Sequence, residues 1–139
     1  MSSGLEGLLV SGQELDKKLV ADVLNPFLRI DRETCTIRPL PEWEKLKTNS
    51  RILLYLLARK AMVALALPLK EEGATATEVS VGTGLKQGTV NPALRALLDM
   101  QLVRQTKERK YFVPNQVIER VKSVTSPVHK TIEGNSHEQ

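Results

Sequence analysis

Apolar residues at Leu15, Leu19, Val20, Val23 and Leu24 recur at three- and four-residue spacing, which predicts a helix with one buried side. Ser11-Gly-Gln-Glu14 has the capping-box pattern just before it, and Asn25-Pro26 stops it. In FLRIDRETCTIRPL the period changes to two. Leu28 and Ile30 alternate with polar residues, Asp31 to Thr34 supply turn chemistry, and Cys35 and Ile37 resume the alternation. A short hairpin is expected there, with Cys35 on a strand and Pro39 and Pro41 ending it. Pro41 to Lys47 then forms a connector that carries Trp43, the only tryptophan, as a hydrophobic anchor.

The most apolar stretch is Ile52 to Leu67, ILLYLLARKAMVALAL, divided by Arg59 and Lys60 into runs 52–58 and 61–67. A membrane span needs roughly 20 apolar residues, and a central pair of cations would cost several kcal/mol there. The stretch reads as a buried core helix, capped by Asn49 or Ser50 and ending near Pro68. Being apolar around most of its circumference, it must be covered on more than one side. The N-terminal helix and hairpin supply one cover. A second subunit is the candidate for another, so a homodimer through the 52–67 helix is expected, with burial inside one subunit as the alternative.

After EEGA, Thr77 is placed to cap a short helix from about Glu78 to Gly82, and Thr83-Gly84-Leu85 makes a turn with Gly84 at positive φ. A longer helix follows with Val90, Ala93, Leu94, Leu97 and Leu98 inward. Leu102 to Gln105 and Lys110 to Val113 alternate as two strands joined by Thr106 to Arg109. Asn115 can cap a last helix with Val117, Ile118, Val121 and Val124 on one side, and the polar tail from Ser126 to Gln139 is expected to be disordered.

Composition narrows the chemistry. The lone Cys35 excludes an intramolecular disulfide, and without an evident histidine partner it makes a poor nucleophile. His129 and His137 both lie in the tail, so no Cys/His metal cluster is expected. Gly82-Thr83-Gly84 lacks the lysine of a phosphate loop. No acid/base or nucleophile constellation, cofactor or metal site is expected, so the chain does not read as an enzyme. The N-terminus lacks the basic-then-apolar order of a signal peptide, which predicts a cytoplasmic protein. Charge is more informative. Residues 86–110 hold six cations (Lys86, Arg95, Arg104, Lys107, Arg109, Lys110) against Asp99 and Glu108, a net +4 equal to that of the whole chain. A basic cluster of this kind suits an anionic partner.

The segment TEVSVGTGLKQGTVNPALRALLDMQLVR, Thr77 to Arg104, resembles the winged helix-turn-helix family, and the resemblance extends over roughly Ser50 to Val124. Val79 and Leu85 stand where the family locks the first helix to the turn, and Ser80 stands where the two helices approach closely. Gly84 takes the turn position, and Val90, Leu94 and Leu97 the inward ones. The resemblance implies a winged helix domain with a two-stranded wing (48–124); together with the N-terminal helix and β-hairpin extension packing on it (1–47) and the tail (125–139) read from the pattern above, the expected fold is mainly α (α+β). The resemblance also implies sequence-specific binding of double-stranded DNA by a transcriptional regulator. The alternative is a winged helix serving as a protein-interaction module in a larger complex.

The second helix would enter the major groove and the wing would meet the flanking backbone or minor groove. The candidate DNA-binding residues are Lys86, Gln87, Thr89, Asn91 and Arg95 on the helix, and Arg104, Lys107, Arg109 and Lys110 on the wing. Pro92 bears on where that helix begins. With Thr89 as N-cap it falls at the third helical position and costs little; a start at Lys86 makes it interior, at about 3 kcal/mol. The start at Thr89 is the favoured expectation.

Overall fold

A computed structural model describes residues 15–126. Within them the chain is an α+β fold of five α-helices with two small antiparallel hairpins. Helix α1, Lys17–Leu24, buries Val20, Val23 and Leu24. The expected cap at Ser11 lies outside the described residues, and the side chain that closes α1 is Asp16, accepting from Leu19 N at 3.0 Å. Strands β1 (Leu28–Asp31) and β2 (Thr36–Pro39) pair with Leu28 opposite Pro39 and Asp31 opposite Thr36. Their turn is organised by the Asp31 carboxylate, which accepts from Glu33 N, Thr34 N and the Arg38 guanidinium. Cys35 is not on a strand: it closes this turn in the left-handed region, φ 55°. A 3-10 helix, Pro41–Lys45, then buries Trp43 as anticipated.

Helix α2, Thr48–Ala64, starts one to two residues before the expected caps. Lys47 occupies the N-cap without a side-chain bond. It also ends four residues short of Pro68. Leu67 N donates to Met62 O and Ala66 N to Val63 O around Ala66 at φ 60°, a left-handed helix stop. Ile52 to Lys60 and Met62 are buried without a second subunit. Helix α2 packs against α1, against α3 (Ala76–Thr83), α4 (Gln87–Asp99) and α5 (Ile118–Thr125), and against strand β4 (Tyr111–Phe112). The homodimer expected from uncovered surface on this helix loses that reason. The large apolar side chains of the 52–67 stretch that stand exposed are Val63 (39%) and Leu65 (60%), at its C-terminal end.

Helix α3 is capped by Thr75, not Thr77. Thr75 Oγ1 accepts from Glu78 N while Glu78 Oε1 accepts from Thr75 N, a complete capping box. Helix α4 ends as α2 does, with Gln101 at φ 61° and Leu102 N donating to Leu97 O. Strand β3, Arg104–Gln105, pairs with β4, and Ala74 adds a third rung by exchanging both backbone bonds with Tyr111. The last helix is not capped by Asn115. A 3-10 turn covers Asn115–Val117, and α5 turns Ile118, Val121 and Thr125 inward, leaving Val124 55% exposed. The tail beyond Ser126 lies outside the described residues. One continuous core joins Val20, Val23, Phe27, Leu28 and Trp43 to α2, Val79, Leu94, Leu97 and Val113, so the N-terminal elements share the core of the rest.

Candidate nucleic-acid interface

The turn between α3 and α4 is built by two short side chains and a glycine. Ser80 Oγ donates to Leu85 O at 2.6 Å, and Thr83 Oγ1 donates to Val79 O at 2.7 Å while accepting from Leu85 N. Gly84, at φ 77°, donates its N–H to Ser80 O and provides the left-handed step that an L side chain resists. Val79 is fully buried and Leu85 packs against the core, so α3 and α4 are locked at their junction.

Helix α4 begins at Gln87, with Lys86 at the N-cap, which corrects the start expected at Thr89. Thr89 N and Val90 N both donate to Lys86 O, so Thr89 is already helical. Pro92 is therefore the sixth residue of the helix and interior. It has no N–H to offer the Gly88 carbonyl four residues earlier. Pro92 and Gly88 are both exposed, so water can take up that carbonyl. Asn91 likewise sits one turn further in than a Thr89 cap would place it.

Val90, Ala93, Leu94 and Leu97 are buried, as the periodicity requires, and Leu98 is half-buried. Gln87, Asn91 and Arg95 follow one another at four-residue spacing along one side, all exposed, and Gln87 Nε2 donates to Asn91 Oδ1 at 3.4 Å. Thr89 is exposed but two positions from Gln87 and Asn91, so it does not share that side. Lys86 is exposed at the helix start. Its ammonium cannot accept a hydrogen bond, so the first-turn amides have no side-chain cap.

In the hairpin, Arg104, Lys107 and Arg109 are exposed, with Arg109 in the left-handed region at φ 63° where the turn closes. Lys110 differs. It is half-buried, and its ammonium is hydrogen-bonded and ion-paired to Glu71, which raises its pKa above the ordinary lysine value. Of the six cations in 86–110, Lys86, Arg95, Arg104, Lys107 and Arg109 make no ion pair among the described residues. Their charge stays available to a partner, whereas that of Lys110 is largely neutralised.

In the sequence, Arg59 and Lys60 stand out only as a break between two apolar runs. Both are buried, at 8% and 6% exposure. Arg59 donates to the carbonyls of Glu71, Glu72 and Gly73, and Lys60 Nζ lies 2.7 Å from Glu72 Oε2. The available signal was the Arg-Lys pair inside an apolar helix followed, twelve residues later, by Glu71-Glu72. No group of three or more His, Cys, Asp or Glu among the described residues could hold a metal ion, and no described helix is long and apolar enough to cross a membrane. No protein-family model, curated protein or solved structure matches the chain.

Proposed function

We propose that residues 48–124 are a winged helix-turn-helix unit that binds double-stranded DNA in a sequence-dependent way, as a transcriptional regulator would. The carrying observation is the set of five exposed, unneutralised cations on α4 and the β3–β4 hairpin, in a chain where Arg51, Lys60 and Lys110, none of them exposed, pair with carboxylates. A helix such as α4 fits the major groove. Gln87 and Asn91 have the side-chain amides that bond adenine, and Arg95 can reach guanine or phosphate. Lys107 and Arg109 at the hairpin tip suit flanking phosphates. The aromatic content of 4% gives little material for stacking single-stranded bases.

The reading extends to a pair of copies, because half-site readers bind as dimers. The contact would use the end of α2, where Val63 and Leu65 stand exposed, and not its buried middle. Sedimentation at micromolar concentration tests this, and a monomer confines the reading to a single binding unit.

The decisive experiment selects genomic duplex fragments with the purified chain and measures affinity across salt concentrations. Affinity should fall steeply with salt, and Asn91→Ala should relax sequence preference by roughly 1–3 kcal/mol at the contacted base while sparing nonspecific affinity. No duplex binding at low salt would sink the reading and leave the protein-interaction module in its place.

A further inference from the structure

The buried cations of α2 reach the hairpin through the backbone of one short loop. Arg59 Nε donates to Glu72 O at 2.9 Å, and Nη2 donates to Gly73 O at 2.9 Å and Glu71 O at 3.2 Å. Three successive carbonyls thus converge on one guanidinium, whose remaining nitrogen faces the Tyr55 hydroxyl at 3.4 Å. The guanidinium also lies 6.0 Å from the centroid of the Tyr55 ring. Lys60 holds the same loop by its side chain, through Glu72. The next residue, Ala74, exchanges both of its backbone hydrogen bonds with Tyr111 of β4, at 3.0 and 2.7 Å. Gly73 is pressed against the hairpin as well, since a Cβ there would stand 3.1 Å from Lys110 Cβ. A planar fork with five donors can hold several carbonyls at fixed angles, which an ammonium cannot.

We propose that Arg59 is a positioning residue for the candidate interface: it fixes the 71–74 loop, and through the Ala74–Tyr111 rung it sets where the β3–β4 hairpin stands relative to the helices. This rests on the proposed function only for its consequence in DNA binding; the positioning itself is independent of it. The exposed cations Lys107 and Arg109 gain from a preset position because a rigid presentation loses less freedom on binding. Arg59 touches no partner in this scheme. It acts through the backbone of the 71–74 loop and the Ala74–Tyr111 rung.

Two measurements without DNA test the positioning. In the unmodified protein, the Arg59 Nε–H should give a slowly exchanging NMR signal whose opening follows the Ala74 and Tyr111 amides under mild denaturant. In Arg59→Lys, which keeps the charge and loses the fork, protection at Ala74 and Tyr111 should fall about tenfold or more, while buried amides of α2 keep theirs. An Arg59 Nε–H exchanging at the rate of a free side chain overturns the proposal. So does a loss of protection that is equal in the hairpin and in α2, since that describes a general loss of stability.

The DNA arm is read separately. Alanine at Lys107 and Arg109 should weaken duplex binding in the unmodified background and have a several-fold smaller effect in the Arg59→Lys background. Equal effects in both backgrounds overturn the consequence for binding. If no duplex binds at all while the localised exchange pattern holds, the proposed function fails and the positioning role stands.

Discussion

Gly82 of α3 lies directly against the ring of Tyr55 in α2: a Cβ added at 82 would overlap Cε1 and Cζ of the ring. Tyr55 also receives a donor from Arg59, so the ring stands between the α3 backbone and the buried guanidinium. Alanine is ordinarily the better helix residue by about 1 kcal/mol, yet overpacking costs about 1–3 kcal/mol. Here the clash involves a ring with little room to withdraw. Gly82→Ala should therefore lower the urea midpoint, with a net loss of about 1–2 kcal/mol. An unchanged or raised midpoint would mean that the ring moves freely and that α2–α3 packing is looser than described.

Pro92 makes a prediction of the opposite sign. As the sixth residue of α4 it deprives the Gly88 carbonyl of its helical donor. Pro92→Ala restores that donor on an exposed side and should stabilise the fold by about 1–3 kcal/mol in chemical denaturation. No gain in stability would return Pro92 to the first turn and the helix start to Thr89.

The β1–β2 turn has a pH signature. Arg38, first, and then the amides of Glu33 and Thr34 bond the Asp31 carboxylate and lower its pKa from the ordinary 3.8 to about 2. Because the folded-state value is depressed, its contribution to stability is present above about pH 3.8 and is lost as pH falls through about 2. A carboxyl-carbon NMR titration should show the low midpoint, and Arg38→Ala should move it upward. A midpoint that ignores the substitution would remove the arginine as its main cause.

Lys110 separates the hairpin cations. Glu71 already holds its ammonium, so a phosphate would have to compete with that carboxylate. Lys107→Ala and Arg109→Ala should each flatten the salt dependence of duplex binding by up to about 0.9 in log–log slope, and Lys110→Ala by clearly less. Equal losses at all three would show that the Glu71 pair opens on binding.

By itself the sequence determined the order of the five α-helices and the two hairpins. Helical spacing in α1, α2 and α4, alternation around Ile30 and Ile37, and Gly84 at the turn all act locally, through propensity and through which side is apolar. Trp43 as an anchor and the inward Val90, Leu94 and Leu97 were legible for the same reason. Boundaries were not. Several oxygen-bearing residues compete for each cap, so Thr75 prevailed over Thr77 through its reciprocal bond with Glu78. Ala66 and Gln101 end their helices in a conformation their side chains do not advertise. The side-chain candidates of the interface were legible as exposed polar positions on α4 and the hairpin; their availability was not. Only the tertiary structure decided that α2 is covered within one chain, that Lys110 is taken by Glu71 from 39 residues away, and that Arg59 ties a loop to the hairpin. These depend on contacts between residues far apart in the chain, where burial makes an unpartnered charge too costly and the carbonyls or carboxylate that relieve it come from another element.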